Sequence, residues 1–204
     1  MTERQYDREL GIKTEGLREW RQKPQYNRYE ATPYHALDKF SESYKFKNGG
    51  RVVDFGCGRG RVSFYLHKNF GIPVVGIEAH DRTYAEALEN KSSYRTKAVH
   101  IEAPIKFKYG LAEEYVVKPH DTYFYFFNPF SEEIFAKVVN NIMKSLKKHP
   151  RVIDLILYYP LPGFKEILES HSFRLINKVK VPRTIDWREK FLIYRHDEFV
   201  KNNT

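Results

Sequence analysis

Cysteine is nearly absent from this 204-residue chain. Its one thiol, Cys57, excludes an intramolecular disulfide and any zinc site built on several thiolates. No apolar run approaches the roughly 20 residues that a membrane-spanning helix requires, so no membrane partner is expected. The N-terminus mixes charges of both signs and lacks the apolar stretch of a secretory signal, which makes a reducing, cytoplasmic setting the expectation. Internal repeats and low-complexity segments are missing as well. What the chain has in quantity is aromatic: 15 Tyr and 15 Phe bring the aromatic share to 16%, which excludes intrinsic disorder. Lys and Arg number 35 against 26 Asp and Glu, for a formal net charge of +9. That balance permits a polyanionic partner without requiring one.

From about residue 50 the apolar pattern alternates between strand and helix. Strands are expected over 51–55, 73–78, 105–109, 122–127 and 152–159, with helices over 61–70, 81–92, 132–147 and 164–171. Two further strands, 173–181 and 191–200, have no helix between them and are expected to pair as an antiparallel hairpin. Such alternation implies a parallel sheet covered on both faces, with ligands outside the carboxyl ends of the strands. The expected division is a helical extension or lid over 1–47 and a ligand-binding α/β domain over 48–204. Within the extension, one short helix is expected over 10–20. A second starts with Thr32 as its cap and Pro33 as its first residue, and carries the apolar stripe Tyr34, Leu37, Phe40 and Tyr44.

The most informative stretch is Val52-Val53-Asp54-Phe55-Gly56-Cys57-Gly58-Arg59-Gly60-Arg61. A buried strand ends in an acid, then three spaced glycines lead into a helix whose first N–H groups lack partners. A bare turn needs only one glycine, so the spacing points to a ligand held against the main chain. A dinucleotide fingerprint needs glycine at position 61, where arginine stands, and Asp54 is ill placed beside a pyrophosphate. Both features oppose a nicotinamide dehydrogenase. An acid in this place suits a cationic amino-acid moiety instead. A second acid, Glu78, ends the next strand, where a carboxylate can accept both hydroxyls of a ribose.

At these residues the chain resembles the class I S-adenosylmethionine-dependent methyltransferases. Asp54 to Gly60 matches their first motif, Glu78 their ribose acid and Asn128-Pro129-Phe130 their fourth-strand motif. The resemblance implies a three-layer Rossmann-like sheet of seven strands with the last antiparallel, preceded here by the helical extension. It implies S-adenosyl-L-methionine as cofactor, held by Asp54, Gly56, Cys57, Gly58, Gly60 and Asn128, with Ile77 and Ala79 flanking the adenine. Family members often carry an acid after the third strand. Leu111 stands at that point, which leaves the Ala112 main chain or Glu113 for the adenine amine. Asn128-Pro129-Phe130 is the expected catalytic segment. Proline holds Asn128 extended and leaves carbonyl oxygens that can grip an amine's hydrogens, and Phe130 can lie against a flat base. The same residues also read as a strand stop, with Ser131 capping the next helix.

The reaction this implies is a direct displacement at a sulfonium, and no histidine shows ligand spacing, so no metal is expected. Arg28 reads either as a partner for the methionine carboxylate or as a surface arginine. The run Lys137, Lys144, Lys147, Lys148 and Arg151 ends a helix pointing away from the site, where it complements the helix dipole. The loop between the closing strands emerges on the site side, with Arg183, Trp187, Arg188 and Lys190 suited to a phosphate-bearing acceptor. Trp187 reads equally as a core plug. The expectation is methyl transfer to an acceptor, with a lean to a nucleic-acid amine. A protein side chain or a small molecule is the alternative, and a cofactor-binding subunit without turnover is the non-enzymatic one.

Overall fold

Neighbouring residues in the central strands go to opposite layers, and this partition builds the molecule. Val52, Val74, Tyr123 and Tyr125 join one apolar cluster, while Val53, Val75, Phe124 and Phe126 join the other. A sheet with two apolar faces must be covered on both sides. The structure is a computed structural model that describes residues 1–19, 24–47, 49–182, 184 and 186–197.

The elements run α1 (Glu3–Leu10), α2 (Tyr34–Ser43), β1 (Arg51–Phe55), α3 (Arg61–Phe70), β2 (Val74–Glu78), α4 (Asp81–Lys97) and β3 (Ile105–Tyr109). After a 3-10 turn at Ala112–Glu114 come β4 (Asp121–Phe127), α5 (Glu132–Lys148), β5 (Ile153–Tyr158), α6 (Gly163–Ser170), β6 (Arg174–Lys180) and β7 (Lys190–His196). The seven strands lie in the order β3-β2-β1-β4-β5-β7-β6. All neighbours pair in parallel except β7, which enters antiparallel between β5 and β6. Helices α2, α3 and α4 cover one face, and α5 and α6 the other. The strand order reverses between β1 and β4, so their carboxyl ends frame the crevice where ligands bind in open sheets.

The helices depart from their expected form at three points. Residues 11–19 of the helix expected over 10–20 are not helical; the first helix lies upstream at Glu3–Leu10, opened by a capping box between Thr2 and Gln5. Thr32 does not cap α2, which has Pro33 at its N-cap and no side-chain cap bond. The Thr32 hydroxyl is instead buried against the Tyr125 hydroxyl at 2.9 Å. Helix α4 also continues five residues past its expected end at 92, because Tyr94 packs into the core beside Phe64. The last strand is described only to His196, and residues 198–200 of its expected span lie outside the described residues.

Arg61 fastens the extension to the sheet. This buried guanidinium donates to Thr14 Oγ1 at 2.7 Å, to Glu3 and to the Thr32 carbonyl, and lies 4.4 Å from the Tyr34 ring centroid. Buried Asp7 completes the cluster by accepting from the Thr14 amide and hydroxyl and from the Tyr34 hydroxyl.

Candidate active site

Strand β1 delivers Asp54 to the crevice almost wholly buried, at 2% exposure. One oxygen accepts from Ser63 Oγ at 2.7 Å on the first turns of α3. Burial pushes the Asp54 carboxyl up to about 7; the Ser63 hydroxyl opposes that rise and the Glu78 charge adds to it. Glu78, at the end of β2, is buried too. Its Oε2 accepts from the Gly58 amide and its Oε1 from the His80 amide, both at 2.8 Å. Burial raises the Glu78 carboxyl and these amides act against the rise. One side chain therefore pins the glycine loop to the start of α4.

Two glycines are required by close approach. A Cβ on Gly58 would fall 2.1 Å from the Tyr29 ring, and one on Gly56 would fall 2.5 Å from Pro129 Cβ. Both have positive φ, at 57° and 69°. Cys57 is buried with its thiol pushed up by burial, which makes it packing and an inert thiol. Gly60, in the left-handed region, is the N-cap of α3.

A cleft of about 580 Å³ runs between these strand ends and the segment 26–30. Gly56, Ile77, Glu78, Ala79 and Ala112 line one side, and Tyr26 to Glu30 line the other. The extension thus lies across the site, and the contacts that hold it there escaped sequence reasoning. Asn27 donates its backbone N–H to the Pro129 carbonyl at 3.0 Å, and its side-chain amide to the Asn128 carbonyl at 2.7 Å. The Ser131 amide donates to the Gln25 carbonyl at 2.7 Å. The Tyr26 hydroxyl accepts from the Ala112 amide at 3.1 Å and donates to Glu113 at 2.5 Å. The two groups expected to read an adenine amine are therefore both engaged by Tyr26. No local pattern signals these pairings, whose partners lie about a hundred residues downstream.

The fourth-strand motif is placed differently from expectation in two respects. Phe130 is 0% exposed, edge-on to Phe126 and Tyr26, so it supports the core and offers no face to a flat acceptor. Asn128 is not extended but sits at φ 38°, a left-handed conformation, and its carbonyl faces Asn27. Ser131 does cap α5.

A second, larger cavity opens beside the first and shares Tyr26, Asn27, Arg28, Glu30 and Phe127 with it. Arg28 is exposed and its guanidinium lies 3.3 Å from Glu30. Arg188 is paired with Asp186 at 2.9 Å and lies over the Tyr159 ring. Trp187 is 77% exposed with Lys190 Nζ 4.4 Å from its ring centroid, which rules out the core plug. Arg183 lies outside the described residues.

The family model of the tellurite resistance protein TehB matches residues 20–152, more than half of the chain. The chain belongs to the TehB family. This TehB-family chain has the class I methyltransferase fold seen in an RNA methyltransferase from Salinibacter ruber in complex with S-adenosyl-L-homocysteine. That structure matches at TM-score 0.55 and 13% identity, over 82% of this chain and 92% of that one. A TehB-like SAM-dependent methyltransferase from Corynebacterium glutamicum matches at TM-score 0.52 and 15% identity, over 78% and 86%. The [4+2]-cyclase SpnF matches at TM-score 0.59 and 14% identity, over 81% and 82%, so the TehB-family fold also carries other chemistry. No curated protein sequence matches this member of the TehB family.

Proposed function

We propose that this chain transfers the methyl group of S-adenosylmethionine to an acceptor that enters through the second cavity, beside Asn128. The observation that carries the reading is the arrangement of Gly56, Ile77, Glu78 and Ala79 along one wall of the cleft, with Asp54 in a small adjoining pocket that shares Gly56, Tyr29 and Phe127 with it. The residues fit the cofactor: Asp54 is a buried carboxylate for an ammonium group, and Glu78 is an acceptor for ribose hydroxyls. Ile77 and Ala79 are apolar walls for the adenine. When bound, S-adenosylmethionine supplies an electrophilic methyl group on a sulfonium. The chain's own part is to orient that group, exclude water with residues 26–30, and hold the acceptor in line.

A nucleic-acid amine keeps as its support the exposed Trp187 with the half-buried Lys190 over its ring. It draws nothing from Phe130, which is buried, and little from Arg188, which Asp186 neutralises. Calorimetry with S-adenosylmethionine, S-adenosylhomocysteine and NAD tests the cofactor; binding of NAD alone overturns the reading. Transfer of a labelled methyl group to fractionated RNA, protein and small-molecule pools then separates an enzyme from a binding subunit.

A further inference from the structure

Among the described residues, the lining of the second cavity has more carboxylates than cations. The chain carries a formal +9, yet four carboxylates, Glu19, Glu30, Asp186 and Glu189, line this cavity against the single guanidinium of Arg28 among the described residues. Glu189 is half-buried and accepts from the Tyr158 hydroxyl at 3.1 Å, with no cationic partner among the described residues. A carboxylate held partly out of water beside a neutral hydroxyl is electrostatically unfinished. Beside it are aromatic rings: Phe127 lies edge-on to Tyr158 with centroids 4.8 Å apart, and Tyr159 follows at 6.5 Å from Phe127. Both Phe127 and Tyr159 line the cavity. Aromatic faces and carboxylates together recognise organic cations, because the ring quadrupole attracts positive charge without demanding hydrogen bonds.

The same surroundings already hold one cation. The Arg188 guanidinium sits 4.8 Å from the Tyr159 centroid and pairs with Asp186. Polyanions find the reverse of what they need here, since each phosphate would face carboxylates at short range. The cavity shares Phe127 and Asn27 with the cofactor cleft, so its occupant lies next to that cleft.

We propose that the acceptor is a small organic cation, held with its positive group between Glu189 and the ring of Phe127. This rests on the reading of the second cavity as the acceptor's entrance. Three probes of one shape and three charges separate the possibilities: choline, the neutral 3,3-dimethylbutan-1-ol and the anionic 3,3-dimethylbutyrate. The affinity of S-adenosylhomocysteine is measured first, and each probe is then titrated into the saturated protein by calorimetry. Choline is expected to bind at least tenfold more tightly than the alcohol, with no detectable binding of the carboxylate. Glu189→Gln is expected to cost choline about tenfold while leaving S-adenosylhomocysteine affinity within twofold. Equal binding of choline and the alcohol, binding of none of the three, or indifference to Glu189→Gln overturns the proposal. So does tighter binding of 3,3-dimethylbutyrate or of a short RNA oligomer. Failure of S-adenosylhomocysteine to bind at all strikes the methyltransferase reading instead, and the two failures are told apart by the first titration.

Discussion

The side-chain amide of Asn27 donates to both oxygens that Asn128 presents, the backbone carbonyl at 2.7 Å and the side-chain carbonyl at 3.0 Å. Its backbone N–H takes the Pro129 carbonyl as well. One residue of the extension therefore engages each of the acceptors at the end of β4 that an amine's hydrogens would otherwise occupy. An acceptor that needs this grip must first displace Asn27.

Asn27→Ala is expected to loosen the strap over the cleft without unfolding the domain. Two partly exposed side-chain hydrogen bonds contribute about 1–2 kcal/mol together, so S-adenosylhomocysteine should dissociate about tenfold faster. Stopped-flow displacement measures this. An unchanged rate means that the strap does not limit release.

Glu78→Ala removes the partner of two backbone amides as well as the ribose acceptor. Hydrogen bonds to charged groups contribute roughly 1.5–3 kcal/mol, so cofactor affinity should fall by one to two orders of magnitude. Stability should fall in parallel, since the Gly58 and His80 amides lose their acceptor. Calorimetry and urea unfolding read the two effects separately.

The Asp54 carboxyl, raised by burial to about 7, makes stability depend on pH in a definite direction. The folded state holds this proton more tightly than the unfolded chain, whose aspartates titrate near the usual carboxylate range. The stabilisation is complete below that range and is lost as pH rises through about 7. Melting curves without cofactor should therefore show the wild type losing stability relative to Asp54→Asn between about pH 4 and 7, with a constant difference above. A flat difference across that window contradicts the assignment.

Arg61→Met leaves the Asp7 carboxylate and Thr14 without their guanidinium. Breaking a buried charge cluster costs about 3 kcal/mol, and the loss should concentrate in residues 1–19. Limited proteolysis should cut there first while the sheet stays resistant.

The β1–loop–α3 unit and its acids were readable because their chemistry is local. Spaced glycines after an apolar strand leave few other readings, and Glu78 follows at the end of the next strand. The closing hairpin was readable from the missing helix between its strands. What the sequence did not disclose is pairing over distance. Tyr29 against Gly58, Asn27 against Asn128 and Tyr26 against Ala112 are set by how the extension returns over the sheet. Thr32 misled for the same reason: threonine before proline is a good cap, but a buried tyrosine hydroxyl competed for it and won. Phe130 reads as a platform in the sequence because aromatic residues at strand ends serve both cores and ligands, and only packing distinguishes them.

Arg61 is at once the first residue of α3, directly after Gly60, and the hub that gathers Glu3, Thr14 and Thr32. The first turn of that helix and the N-terminal residues consequently share one set of bonds. Whatever free energy a ligand on the glycine loop contributes to ordering the extension, the ordered extension returns to the ligand in equal amount. The N-terminal residues are in that sense a remote handle on cofactor affinity. A substitution among them, many residues away in the chain, should change the cofactor's dissociation constant by the same factor by which the cofactor protects them from unfolding.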